Sequence, residues 1–214
     1  MNRAPVVKIV FFDYDGVLTT DRTGSLTTCR FISRSCGLPL QAVQRAFAAH
    51  NRALTLGHTT HEAAWTGICH ALGREVPFGL LRDAFDSTPA NHAMFTLARR
   101  LRTRCPVGII TDNKSDRIRR LRRTQDLDAI FDPIVVSADV GCSKSSPGLF
   151  EHALSLAGAT ARETVFIDND VDNVATAAAL GIRAVHFDDA VNDVPGLEAR
   201  LHDEFGLSWQ PRTL

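Results

Sequence analysis

The sequence predicts an α/β protein in which a parallel sheet lies between two layers of helices and a small all-helical unit is attached. Three observations predict it. First, four short runs are largely apolar and rich in β-branched residues, namely 6–12, 107–111, 134–136 and 165–168, with a weaker fifth at 184–187. Such runs suit strands covered on both faces. Second, helical patterns of about 10 to 15 residues separate them, the alternation that builds a parallel sheet through right-handed crossovers. Third, residues 20–88 break that alternation, with amphipathic helical spacing and no convincing strand. The expected organisation is a Rossmann-like core of 1–19 and 89–214 and a helical cap of 20–88.

The elements follow in order along the chain. After the first strand, Leu40, Val43, Ala46, Phe47 and Leu54 fall largely on one helical face, and Thr59-Thr60-His61-Glu62 has capping-box spacing ahead of Ala63, Trp65, Ile68 and Leu72. Together these predict a small bundle. Behind the strand ending at Thr111, Ser115 and Asp116 offer a capping hydroxyl and an acid at a helix start. Pro147 behind Ser146 fits a first helical position, followed by Leu149, Phe150, Ala153, Leu154 and Ala157 at helical spacing. Gly181 after Leu180 reads as a helix stop. Trp209 and Pro211 belong to a final stretch expected to lie on the core as a tail.

Composition narrows the function classes. The 214 residues are 44% hydrophobic, enough for a sizeable core, and 24 Lys plus Arg balance 24 Asp plus Glu. Nothing in that balance favours nucleic acid or an anionic membrane surface. Cys29, Cys36, Cys69, Cys105 and Cys142 are scattered and odd in number, which predicts a reducing compartment over a disulfide framework or zinc knuckle. The apolar stretch 9–12 meets Asp13 too early for a signal peptide, and no window approaches the roughly 18 apolar residues of a membrane helix. The expectation is a cytoplasmic protein.

Four constellations carry chemistry. Asp13 and Asp15 directly follow the first strand, where open α/β sheets place their ligands, and Gly16 lets the chain turn sharply behind them. Like charges this close raise one another's pKa unless a cation sits between them. Thr111-Asp112-Asn113 closes the second strand and presents a hydroxyl beside a helix start, whose free N–H groups suit an anion. Lys144 stands in the loop before Pro147 and can neutralise a phosphate or a carboxylate. Asp168-Asn169-Asp170-Val171-Asp172 follows the fourth strand with three carboxylates and an amide oxygen, hard donors suited to magnesium.

The ordered set of acid pair, hydroxyl, lysine and acid cluster resembles the haloacid dehalogenase superfamily over about residues 5–20 and 90–190. Phe12-Asp13-Tyr14-Asp15-Gly16-Val17-Leu18-Thr19 is similar to the family's first motif; Thr111, Lys144 and 165–181 fall at its second, third and fourth. The resemblance implies a magnesium-dependent phosphohydrolase acting on a small phosphorylated metabolite. Asp13 would be the nucleophile that forms an aspartyl-phosphate, and Asp15 the acid and then base. Thr111, Asp112 and Lys144 would lie around the transferring group, with Lys144 also restraining Asp13. Mg2+ would be held by Asp13, the Asp15 main-chain carbonyl, Asp168, Asn169 and Asp172. The helical insertion is similar to the family's cap.

The pattern also departs from the family. Asn169 stands where relatives carry an acid, which predicts weaker magnesium binding, and Asp112 stands where asparagine is frequent, which predicts a carboxylate turned away or cradling the loop. Lysine is not followed at once by proline here. A dehalogenase or phosphomutase of the same superfamily, or a phospho-ligand-binding protein without turnover, remain the alternatives. Elsewhere, Lys114, Arg117, Arg119, Arg120, Arg122 and Arg123 read as a solvated helix face, His58 and His61 as a substrate contact sooner than a metal site, and Trp65 as core.

Overall fold

A computed structural model describes residues 6–207. Its centre is a five-stranded parallel sheet built from β1 (Ile9–Phe12), β2 (Val107–Thr111), β3 (Ile134–Val136), β4 (Thr164–Asp168) and β5 (Arg183–His186), in the order β3-β2-β1-β4-β5. The expected α/β class with helices on both faces is what the chain forms. The second and third strands begin and end where the sequence placed them. The first begins three residues later than expected, because β1 pairs with β4 only from Ile9 opposite Thr164, and Val6 is exposed. β4 and β5 each start one residue earlier than expected, and β5 closes at His186, one residue short of the expected end, with the Phe187 N–H still donated to the Asp168 carbonyl.

Between β1 and β2 come α1 (Gly24–Cys36), α2 (Leu40–Thr55), α3 (His61–Leu72), α4 (Gly79–Asp86) and α5 (His92–Arg102). α6 (Ser115–Thr124) links β2 to β3, and α7 (Ser137–Val140) and α8 (Pro147–Ala157) link β3 to β4. α9 (Val171–Ala179) joins β4 to β5, and α10 (Val194–Phe205) follows. Alternate side chains of a strand point to opposite faces, and the core divides accordingly. Val10, Phe12, Ile109 and Ile167 pack with α5, α6 and α10, whereas Ile9, Phe11, Ile110 and Phe166 pack with α8 and α9.

α1 to α4 enclose a third apolar cluster of their own, containing Ile32, Val43, Phe47, Trp65, Ile68 and Phe85. Trp65 is core, as expected, with its indole N–H donated to the Val76 carbonyl. The two chain crossings into this unit lie side by side, since Thr19 bridges Ala90. Two helix starts differ from expectation by one residue. Thr60, not Thr59, caps α3 by accepting from the Ala63 N–H, and Ser115 is the first residue of α6, its hydroxyl turned to Asp139. Pro147 takes the first turn of α8, and Gly181, with φ +84°, ends the segment behind α9. Trp209 and Pro211 lie outside the described residues.

Candidate active site

The strand order places the candidate residues together. β1 is central, so the loop after Phe12 is flanked by the end of β2 on one side and of β4 on the other. The chain reverses its direction of sheet growth between β1 and β4, the crevice where such sheets bind ligands. Asp13, Thr111 and Asp168 therefore meet although about 100 and 60 residues of chain separate them in turn. Lys144 is 2% exposed and its Nζ lies 2.7 Å from both Asp13 Oδ1 and Asp168 Oδ2.

Each member of that array is held. Asp13 Oδ1 also accepts from the Tyr14 N–H at 2.7 Å. Asp168 Oδ1 accepts from the Asp170 N–H, and its Oδ2 accepts from Asn173 as well as Lys144. The Lys144 backbone N–H is donated to Asp112 Oδ1 at 2.9 Å, so Asp112 cradles the lysine loop, as one of the two sequence expectations had it. Its carboxylate is thereby tied to that loop. Burial pushes Asp13 up to about 8, with Lys144 opposing and Asp168 and Asp15 reinforcing the rise. Burial alone would lower Lys144, but the charges of Asp13, Asp168 and Asp112 hold it above the ordinary lysine value.

Asp15 is engaged differently. Arg117 grips it with both arms, Nη1 to Oδ2 at 2.8 Å and Nη2 to Oδ1 at 2.9 Å, and the Asn113 amide adds a bond to Oδ2 at 2.8 Å. Arg117 is 2% exposed and also meets Asn113 Oδ1 and Thr88 Oγ1, while its Nε has no partner. The expectation of a fully solvated basic face on α6 is therefore corrected at this position. Lys114, Arg117, Ile118 and Leu121 share helical spacing, so the inward stripe carries one arginine to the site. That spacing was the available signal. Two glycines make room. Gly16 has φ +82°, and a Cβ there would lie 2.4 Å from Asn169; a Cβ on Gly24 would lie 2.1 Å from the Arg117 guanidinium carbon.

A cavity of about 440 Å³ opens in front of Asp13 and Asp15 and is lined by Thr111, Asp112 and Lys144 from the sheet side, by Asn169, Asp170 and Asn173 behind β4, and by Lys114 and residues of the helical unit from Arg22 to Thr55. Asp168 is fully buried behind Lys144. Asp172 is exposed in the first turn of α9, outside the lining of the cavity, and its N–H is donated to Asp170 Oδ1. Asn169 does face the site. Its amide NH2 is donated to Asp189 Oδ1 at 3.3 Å, which leaves the carbonyl oxygen for another partner. His61 bonds Asp116 of α6 at 2.8 Å and is buried among Phe47 and Phe85, and His58 lies ahead of the helix; neither lines the main cavity, so substrate contact by these histidines is corrected.

The donor set fits a divalent cation. Asp13, Asp112 and Asp168 surround one ammonium, so three carboxyls share a single counter-charge. At its shifted value Asp13 would be largely protonated at neutral pH, and added positive charge would hold it ionised. Among the described residues no group of three or more His, Cys, Asp or Glu converges as a ready-made cage. The hard donors on offer are the Asp13 carboxylate, the Asp15 carbonyl and the Asn169 amide oxygen.

Residues 7–181 match the family model described as hydrolase, haloacid dehalogenase-like hydrolase. A sesquiterpene phosphatase from Aspergillus oryzae is 36% identical over 62 residues, which is 29% of this chain and 32% of that protein, so the match spans about a third of the relative. A HAD family enzyme from Bacteroides thetaiotaomicron, solved with magnesium and inorganic phosphate, superposes with a TM-score of 0.69 at 21% identity, over 84% of this chain and 93% of the other. L-2-haloacid dehalogenase from Xanthobacter autotrophicus gives 0.66 at 15% identity, over 96% and 85%. The two structures show the shared fold. Of the described helices, none is long and apolar enough to cross a membrane.

Proposed function

As the chain belongs to the haloacid dehalogenase-like hydrolases, we propose that it is a magnesium-dependent phosphohydrolase of small phosphate monoesters, with residues 20–88 as its cap. The observation that carries this is Lys144 set 2.7 Å from both Asp13 and Asp168 at the cavity wall. Asp13 forms the bond to phosphorus while the alcohol leaves, taking a proton from Asp15. Asp15 then draws a proton from water, which attacks the aspartyl-phosphate, frees phosphate and restores Asp13. Thr111 and Lys144 bind the oxygens of the transferring group. Asp13, the Asp15 carbonyl and Asn169 would hold magnesium, which when bound would supply positive charge beside the transferring group and favour the ionised form of Asp13. Asp168 serves through Lys144, which it fixes in place.

Both Asp15 oxygens are occupied by Arg117 and Asn113, so proton transfer requires one of them to be released. Arg117 thereby acts as a positioning residue for Asp15. A dehalogenase needs no such acid two residues after its nucleophile, and the bonds invested in Asp15 favour phosphate chemistry. A second reading, a phospho-ligand-binding protein without turnover, is favoured by the uncharged Asn169 and by the tight hold on Asp15. Phosphate release from an aryl phosphate, with magnesium and with chelator, separates them. We expect magnesium-dependent release that Asp13→Asn abolishes. Magnesium-dependent phosphate binding without release from any monoester would establish the second reading instead.

A further inference from the structure

One wall of the cavity carries basic groups that have no ion pair among the described residues. Lys114 is half-buried, and its Nζ bonds only the Ser25 hydroxyl, at 3.3 Å; among the described residues no carboxylate lies within ion-pair distance of it. Ser25 in turn is hydrogen-bonded to Asn51 Oδ1. Arg22, on the same wall, has no hydrogen bond or ion pair among the described residues. Every other described lysine or arginine that lines this cavity is paired: Lys144 has Asp13 and Asp168. A half-buried ammonium held beside hydroxyl and amide groups, with a guanidinium near it, is an arrangement that an anion completes.

The cavity's remaining lining argues for a hydroxylated ligand. None of the described side chains that line it is aliphatic or aromatic, and Thr23 and Thr55 add hydroxyls. The apolar groups behind Ser25 and Asn51, including Phe47 and Phe85, enclose only about 20 Å³, roughly one water, so no channel for a hydrocarbon tail opens there.

We propose that Lys114, Arg22, Ser25 and Asn51 form a subsite for a second anionic group, so that the substrate is a phosphate monoester whose short, hydroxylated skeleton ends in a carboxylate or another phosphate. The inference rests on the phosphohydrolase reading for the role of the first phosphate, and deepens it. The transferring phosphate sits against Asp13, Thr111 and Lys144, and the far anion against the opposite wall. Charge-assisted hydrogen bonds of this kind separate ligands by about one to two orders of magnitude in affinity.

The test compares matched substrates in the full chain with magnesium. The carboxylate arm sets phosphoglycolate against ethyl phosphate, the phosphate arm sets a hexose bisphosphate against its hexose monophosphate, and farnesyl phosphate supplies the apolar case. In at least one arm the anionic member should show a kcat/KM about 30-fold higher, mainly through KM. Lys114→Ala and the exposed Arg22→Ala should each shrink that ratio about tenfold, and Lys114→Arg should restore part of it. Ratios near one in both arms, ratios indifferent to both variants, or preference for farnesyl phosphate would overturn the proposal. Dissociation constants for the same compounds with Asp13→Asn, read by calorimetry, need no turnover. Preference in binding without hydrolysis by the native chain would therefore sink the phosphohydrolase reading while upholding the subsite.

Discussion

On the sheet side of the cavity Lys144 is 2% exposed and touches two carboxylates at 2.7 Å, whereas on the opposite side Lys114 is half-buried and touches one serine hydroxyl at 3.3 Å. The first lysine is locked in place by strand ends that cannot shift without disturbing the sheet. The second stands at the start of α6, against a helical unit with its own separate core. The difference teaches how to tell standing machinery from recognition surface. Charges cancelled within the protein fix the geometry of reaction, and charges left uncancelled at a cavity wall await a ligand to cancel them.

The harshest way to break that contrast is Lys144→Met. The change keeps the volume but leaves Asp13 and Asp168 buried without their counter-charge, so unfolding in urea should show a loss of about 3–5 kcal/mol. Phosphate release should fall by about a thousandfold or more. A variant within about 1 kcal/mol of the native chain would mean that the buried array is not a network of charges.

Arg117→Met tests whether the pairing at Asp15 belongs to the same machinery. Freed of the guanidinium, Asp15 loses its fixed direction, and kcat should drop about 10- to 100-fold with KM little changed and the pH–rate profile displaced. Arg117→Lys restores charge but not the two-armed grip, and should recover only part. An unchanged profile in both variants would reduce Arg117 to packing.

Asn169→Asp sharpens the picture of the metal side. Adding a charge where the amide oxygen now faces the cavity should tighten magnesium about tenfold, measured as the concentration for half-maximal activity. No change would show that Asp168 or Asp170 already supplies the needed charge.

The smallest effect concerns the contact between the helical unit and the core. Burial opposes ionisation of Asp116, but the bond and charge of His61 and the Arg117 N–H outweigh it and hold the carboxyl below the usual carboxylate range. A carboxyl depressed in the folded state stabilises fully above its unfolded value, near 4. That contribution is lost as pH falls through the lower folded value. The thermal midpoint of the native chain should therefore exceed that of Asp116→Asn at neutral pH, with the gap closing under acid conditions. A gap that persisted unchanged into acid would remove the carboxylate's charge from the account.

Much of the fold was legible because buried parallel strands leave a local imprint. The runs 107–111 and 134–136 match β2 and β3 residue for residue, since both faces are covered and every position must be apolar or satisfied. Asp13, Thr111 and Lys144 were legible for a related reason, each standing at a strand end or just before a helix. The place of Asp172 was not legible, because a run of acids says nothing about which carboxyl the next helical turn carries outward; in the fold its N–H is donated to Asp170 and it is exposed. Arg117 is one of six basic residues, and although its helical spacing with Ile118 and Leu121 set it on the inward stripe, only the closure of α6 against Gly24 and Asp15 buries it.

The sequence by itself determined the α/β alternation, the helical insertion, and which residues end the strands, because hydrophobic period and turn chemistry act between neighbours a few positions apart. Tertiary structure alone decided that Lys144 has two carboxylate partners, that Asp15 is held by Arg117, and that Lys114 and Arg22 have no carboxylate partner among the described residues. Those facts are sums of Coulomb and desolvation energies over groups far apart in the chain, 24 residues for Lys144 and Asp168 and 102 for Asp15 and Arg117. Such sums exist only once the sheet order has brought the groups together.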